Sequence, residues 1–446
     1  MAIVEAIFTS AFMKRGGIAL VALILLVLVG WFALRDDGRT GPVATRTAVQ
    51  PTPDENLPDT PSEWRGRIDY RALDQQITAL MTRPEMTGLA VAVVEDGRLS
   101  FVRSYGLANI ESGAPVTPQT LFRWASVSKT ATGAMAATLA SDGALNLGSP
   151  VGDWRTTLRL PGDAQYRITV ANLLSQRTGL TKNAYDDKLE AGQQAELLRA
   201  SFVAAPLQCH PGTCHTYQNV AFDAAGEIIG QATRQYFPDA VKERLFVPLG
   251  MDSATYGMAE LTESVDWARP YRDGQPRPLI DAYWRVPAAA GVESNIVDFA
   301  TWMKAMMGLR ADVISPATLE IAHRPRVNTE RLYGGTLRQA INDASYGLGW
   351  RSFTYDGHRL EGHSGAVSGY RATMIFEPAT RTGVVALWNS DWGFPFRIPF
   401  VALDSYHKRE GTNWLDLSTI PPKADGGAAE SDLVTPDPSM ATAGSR

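Results

Sequence analysis

The sequence predicts a mixed fold, α/β in the broad sense and α+β in arrangement. One antiparallel sheet is built from the N- and C-terminal parts of the folded region and flanked by helices, with a mostly helical subdomain inserted. Three observations carry this. Residues 89–94 form an apolar, β-branched run, Asp96-Gly97 favours a tight hairpin turn, and 99–105 return as a second strand. Near the other end, 371–376 and 382–388 read as two more strands around a turn. The stretch between reads mainly as helix and loop, for example 220–233 and 296–307, so the sheet must be closed by strands far apart in sequence.

The chain has 446 residues, enough for one large composite domain or two closely packed ones. It is 45% apolar and 20% charged with a net charge of −5, the signs scattered rather than blocked. That excludes a basic stripe of the kind that binds nucleic acid.

From the N-terminus, residues 1–15 end in Lys14-Arg15, and 16–34 are apolar without a charge. As a helix this run would be roughly 28 Å long, close to the hydrocarbon thickness of a bilayer. The basic flank precedes the run, which predicts a cytoplasmic N-terminus and a single-pass anchor in the cell (inner) membrane, with the rest periplasmic or otherwise extracytoplasmic. The competing reading is a cleaved signal peptide, against which no clear small-x-small site follows the run. Residues 35–63 are rich in Pro, Asp, Thr and Gly and read as an unstructured tether. The folded domain is expected over 64–416, opening with a periodic helix at 70–82 and closing with one at 398–409. The stretch 417–446 reads as an unstructured tail.

Both membrane readings allow disulfides, and the only two cysteines, Cys209 and Cys214, flank a Pro-Gly turn that lets them meet. His210 and His215 beside them do not make a zinc pattern. No metal and no cofactor are implied.

Ser126-Val127-Ser128-Lys129 is a Ser-x-x-Lys motif. On a helix, residues three apart share a face, so Lys129 can reach the Ser126 hydroxyl. Serine is a weak nucleophile until a base removes its proton. Lysine serves as that base only when burial or nearby positive charge makes it neutral. The flanking Phe122, Trp124 and Ala125 are apolar, and 130–140 is a run of small residues suited to close packing. The motif alone is weak, because Ser405-Tyr406-His407-Lys408 also fits it. Ser128 is the alternative nucleophile but has no lysine three residues on. Tyr217-Gln218-Asn219 offers a phenol that a neighbouring cation would help to ionise, and an amide that can bind both an ammonium and a substrate. His363-Ser364-Gly365-Ala366 reads as a strand edge whose small residues let a substrate backbone approach.

In this order the three elements resemble the serine β-lactamase and penicillin-binding-protein superfamily. The nearer likeness is to its class C β-lactamase-like branch, which also holds esterases, D-aminopeptidases and DD-peptidases. The likeness runs over roughly 69–408, through the Thr178-Gly179-Leu180 segment, Pro248-Leu249-Gly250-Met251, 291–298, and Tyr346-Gly347-Leu348-Gly349-Trp350. It implies a β-lactamase/transpeptidase-like fold. It also implies Ser126 as the acyl-accepting nucleophile, Lys129 as its proton partner and Tyr217 as the proton shuttle. Asn219 would orient substrate and Lys129, and His363 and Ser364 would line the cleft. Gly365 would allow close approach, and the N–H groups of Ser126 and Ala366 would bind the oxyanion. Where this chain has His-Ser-Gly, β-lactamases of this group carry Lys-Thr-Gly. A histidine with an ordinary value near 6.5 is only partly charged at neutral pH, so it would hold a substrate carboxylate only while protonated. The expected activity is therefore a serine hydrolase acting through an acyl-enzyme on small-molecule or peptide esters or amides, including D-amino-acid peptides. Esterase or peptidase activity ranks ahead of β-lactamase activity. The rival is a binding or sensor protein that keeps the fold without turnover.

Overall fold

A computed structural model describes residues 65–410 and 412–417. The readings made for 1–15, the apolar run 16–34, the tether 35–63 and the tail from 418 lie outside the described residues. No helix among the described residues is long and apolar enough to cross a membrane.

The helix α1, Tyr70–Leu80, precedes the hairpin of β1, Gly88–Glu95, and β2, Arg98–Asn109, followed by the short β3, Ala114–Pro115. Asp96 and Gly97 both take positive φ (49° and 82°), the turn that Asp-Gly predicts. Among the described residues the three longest α-helices of the middle stretch are α2, Ser128–Ser141; α3, Ala224–Thr233; and α4, Ile296–Lys304. The chain then returns to strand: β4, Val327–Asn328; β5, Ile341–Tyr346; β6, Arg351–Tyr355; β7, His358–Val367; β8, Tyr370–Glu377; and β9, Thr382–Trp388. It closes with α5, Ile398–His407.

The nine strands form one sheet in the order β3-β2-β1-β9-β8-β7-β6-β5-β4, antiparallel at every pairing. The first and last long strands lie side by side, with Leu89 opposite Trp388 and Val94 opposite Gly383. The sheet is thus closed by both ends of the domain, as the sequence predicts.

Every residue of β1 is buried because both faces of the sheet are covered. Ala90, Ala92 and Val94 join the larger core with α2 and α4. Leu89, Val91 and Val93 pack on the other face against Ile77 and Leu80 of α1 and Ile398, Ala402 and Tyr406 of α5. The continuous apolar run in the sequence reflects this two-sided burial.

The expectation of helix and loop through the middle needs correction at its C-terminal end, where β4, β5 and β6 widen the sheet. Their hydrophobic signal is broken. In β5, Asn342 and Asp343 are exposed, Asp343 has φ 50°, and the pairing slips between Asn342 and Ser345, a bulge that hides the period of two.

The small residues of α2 allow backbone to meet backbone. A Cβ on Gly133 would lie 1.6 Å from the Leu348 carbonyl oxygen, and one on Gly349 2.2 Å from that of Lys129. The Tyr346-to-Trp350 connection between β5 and β6 is thereby seated directly on the helix that begins beside Ser126.

Candidate active site

Ser126 lies in a single 3₁₀ turn, Ala125–Val127, that runs into α2. Ala125 has φ 48°, a left-handed conformation that costs a residue with a Cβ about 1–2 kcal/mol. Packing from β7 holds it there. A Cβ on Gly365 would sit 2.1 Å from the Trp124 carbonyl oxygen and 3.0 Å from the Ser126 nitrogen, so only glycine lets the strand come this close. The β6–β7 pairing stops at Arg351 opposite Gly362, whereas the β7–β8 pairing continues to Val367. One edge of β7 is therefore released from its strand partner where it meets the Ser126 turn. Along this stretch the buried His363 and Gly365 alternate with the half-buried Ser364 and Ala366.

Lys129, three residues after Ser126 and the second residue of α2, is 0% exposed. Its Nζ donates to Asn219 Oδ1 at 2.7 Å and to the Ala289 carbonyl at 2.9 Å, and lies 3.3 Å from Ser126 Oγ. Burial lowers its pKa to about 7. Arg351 adds to the fall, and the carboxylates of Asp186 and Asp223 oppose it. Near neutral pH a substantial fraction of Lys129 is an uncharged amine next to a hydroxyl, the state a general base needs.

Tyr217 completes the cluster. Its hydroxyl lies near enough to Ser126 for that side chain to pull its pKa down, and the Lys129 Nζ stands 4.7 Å from its ring centroid. A neighbouring cation, Arg351, does ease ionisation of this phenol, but burial outweighs it. Burial raises its pKa to about 12, and the lowering effects of Arg351 and the Ser126 hydrogen bond do not offset it. Tyr217 can relay a proton but stays a phenol. Ser128, the alternative nucleophile, is fully buried, and its hydroxyl accepts from the Val292 N–H at 3.0 Å, a structural role.

The Tyr217 loop is clasped on both sides. The Gln218 N–H donates to Gln176 Oε1 at 2.8 Å, and Gln176 Nε2 returns a bond to the Gln218 carbonyl at 3.1 Å. The Asn183 N–H donates to the Tyr217 carbonyl at 2.8 Å. Cys209 and Cys214 are joined as a disulfide. The loop they close is tied to the same clasp, because the Gly212 N–H donates to the Arg177 carbonyl at 2.7 Å.

His363 differs from its expected part. It is 1% exposed, with Nδ1 2.7 Å from the Ser364 carbonyl and Nε2 3.0 Å from the Tyr346 hydroxyl. Burial, reinforced by Arg351 and Lys129, holds its pKa well below the ordinary value. The imidazole is neutral and occupied, so it is no titrating anchor for a substrate carboxylate.

Two ionisable groups escaped sequence reasoning. Asp186 accepts from Asn219 Nδ2 at 2.6 Å, which extends the chain from Ser126 through Lys129 and Asn219. Burial raises its carboxyl to about 7, although the Asn219 hydrogen bond and Lys129 pull it down. Arg351, the first residue of β6, has its guanidinium carbon 5.8 Å from the Tyr217 ring centroid and 5.6 Å from that of Tyr346. It supplies the fixed positive charge that His363 does not. Its only signal in the sequence is its place directly after Tyr346-to-Trp350. Beside Ala366 a cavity of about 330 Å³ is lined by Arg123, Arg272, Arg277 and Arg371, together with Glu190 and Asp391.

Comparison with known proteins agrees with this architecture. The chain is 27% identical over 332 residues to an unguisins hydrolase of Aspergillus campestris, covering 70% of this chain and 60% of that protein. It is 26% identical to a β-lactamase of Yersinia enterocolitica, covering 73% of this chain and 88% of the relative. With penicillin-binding protein 4 of Amycolatopsis lactamdurans it shares 29% identity over 72% of this chain and 84% of that one. The octameric penicillin-binding protein homologue from Pyrococcus abyssi has the same fold, with a TM-score of 0.68 and 23% identity over 77% of this chain and 78% of its own. The sequence model described as Beta-lactamase matches residues 73–399, most of the described region. By that match the chain belongs to the Beta-lactamase family, within the serine β-lactamase and penicillin-binding-protein superfamily.

Proposed function

We propose that this protein is an extracytoplasmic serine hydrolase, anchored through residues 16–34, that cleaves esters or amides carrying a carboxylate. D-amino-acid peptides are among the candidates. The observation that carries the reading is the Lys129 amine, fully buried and 3.3 Å from Ser126 Oγ, where burial lowers its pKa to about 7. Neutral Lys129 takes the Ser126 proton as Oγ attacks the carbonyl. The oxyanion forms against the N–H groups of Ser126 and Ala366, where charge develops and fixed donors act most strongly. Tyr217 passes the proton to the leaving group, which departs and leaves Ser126 acylated. Water then attacks the acyl-enzyme with the same groups acting in reverse, releasing the acid and restoring the hydroxyl. Asn219 holds the amine and presents its amide to substrate.

An anionic substrate is favoured by Arg351 beside Tyr217. The anchor rests on the length, apolarity and basic flank of 16–34.

The test uses the purified full-length protein with a fluorophosphonate probe, then a panel of p-nitrophenyl esters, D-Ala-D-Ala peptides and nitrocefin. Ser126→Ala should abolish labelling and turnover, and labelling that survives in this variant would remove Ser126 as the nucleophile. A burst of acylation without steady-state product would favour the binding or sensor reading instead. Arg351→Gln should raise KM for carboxylate-bearing substrates by about 10- to 100-fold, the weight of a charged hydrogen bond, and leave neutral esters nearly unchanged. Equal losses on both classes would remove the carboxylate from the proposal.

A further inference from the structure

Far from the catalytic cleft, three elements bring two imidazoles onto one buried carboxylate. Glu377, the last residue of β8, is 2% exposed. Its Oε1 lies 2.9 Å from His358 Nδ1, at the start of β7, and its Oε2 lies 2.8 Å from His407 Nε2, at the end of α5. The imidazole rings stack with centroids 3.8 Å apart and planes 31° from parallel. Thr380 Oγ1 donates to Oε2 at 3.0 Å and steadies the carboxylate from outside the trio.

We propose that His358, Glu377 and His407 form a binding site for a divalent transition-metal ion of the zinc class, which would clip the end of α5 to the β7 and β8 strands. The three donor atoms all lie within 4.8 Å of one another. Ligands about 2.0–2.2 Å from a tetrahedral zinc ion stand roughly 3.4 Å apart, so shifts of an ångström or less admit the ion. Two imidazoles and a carboxylate are the donor set such an ion takes, and Thr380 holds the carboxylate as an outer-shell partner. The His358 side chain is 35% exposed, which leaves a face open for water in the fourth position.

The proton balance is simple. With neutral rings, each imidazole now directs a ring N–H at the carboxylate. The ion replaces those two protons, which move to the opposite ring nitrogens, so neutral rings bind without net proton release and a protonated ring releases one.

The site is independent of the reaction. His358 and Gly365 are seven residues apart on one strand, roughly 23 Å at 3.3 Å per residue. It is also distinct from the Cys209–Cys214 loop, where the disulfide consumes both thiols. The chain spacing, His358 to Glu377 to His407, matches no short motif and was invisible before folding.

The probe is zinc ion alone, titrated calorimetrically into EDTA-stripped, untagged full-length protein, with cobalt(II) as a spectroscopic substitute. Saturation at one equivalent is expected. So is a melting temperature that climbs with the logarithm of zinc concentration. Cobalt should give the intense visible absorption of a tetrahedral site. His358→Ala and His407→Ala should each weaken zinc binding by about 100-fold or more, at least the loss known for outer-shell partners, with turnover unchanged. Absence of saturable binding, or binding that survives in both variants, would overturn the site and leave the trio as a hydrogen-bonded clamp.

Discussion

The chain carries the Ser-x-x-Lys pattern twice, and the two copies have opposite fates. At Ser126-to-Lys129 the amine is sealed beneath the cleft, donates to Asn219 and Ala289, and has its pKa lowered to about 7. At Ser405-to-Lys408 the serine hydroxyl accepts from the Asp69 N–H at 2.8 Å, and the lysine, at φ 56°, caps α5 from the surface. Lys408 is exposed and Lys129 is not. Spacing brings a hydroxyl and an amine to one helical face, whereas desolvation makes the amine a base. The largest expected effect tests that distinction. Lys129→Met should lower kcat/KM by about 10²- to 10⁴-fold, the usual range for a positioned base. Lys408→Met, as a surface change, should leave kcat/KM within about twofold. A comparable loss from both would mean that burial is not what separates the copies.

Two glycines of the β6–β7 hairpin sharpen the comparison at the next level, between a residue that shapes the Ser126 turn and one that only turns the chain. Gly365 meets the Trp124 carbonyl and the Ser126 nitrogen, whereas a Cβ on Gly357, at φ 80°, would touch nothing within 4 Å. Gly365→Ala should push the Ser126 turn away from β7 and lower kcat/KM by about 10²-fold, the effect of misplacing a reacting group by an ångström. Gly357→Ala should cost only stability, about 1 kcal/mol for the strained turn, with kcat unchanged. Thermal melts run beside the kinetics separate the two outcomes, and loss of activity in both variants would erase the contrast.

What the sequence disclosed follows the same division. The strands β1, β2, β8 and β9 were legible because two-sided burial writes a continuous apolar run and Asp96-Gly97 writes its turn. The strands β5 and β6 were not, since Asn342, Asp343 and the bulge beside them interrupt the period. In the site, Ser126, Lys129, Tyr217 and Asn219 were legible because their fixed spacings bring side chains to one face of a helix or loop. Asp186, Arg351 and the Ala289 carbonyl come from three other segments and meet the motif only in the folded chain, so no local pattern marks them. The identity of His363 predicts a titrating group, but its burial against Tyr346 decides its state, and burial is a property of the fold.

The smallest expected effect concerns Asp186. Lys129 must lose its proton to act, so kcat/KM should rise with pH and level off above about 7. The Asp186 carboxylate stabilises the ammonium and raises that value. Asp186→Asn removes the charge but keeps an oxygen for the Asn219 amide, so the acidic limb should move to lower pH. A shift of up to about one unit is expected, the low end for an opposite charge, because the Asn219 amide stands between the groups. Asp186 itself titrates near 7, so the wild-type limb belongs to the Lys129–Asp186 pair and should be broader than a single ionisation, and the variant should narrow it. Asp187→Asn, one residue along and exposed, is the control and should leave the limb nearly in place. A limb that stays put in Asp186→Asn would show that burial and Arg351 alone set the lysine. A limb that moves to higher pH would overturn the sign of this coupling and mean that the carboxylate does not act on the amine by charge.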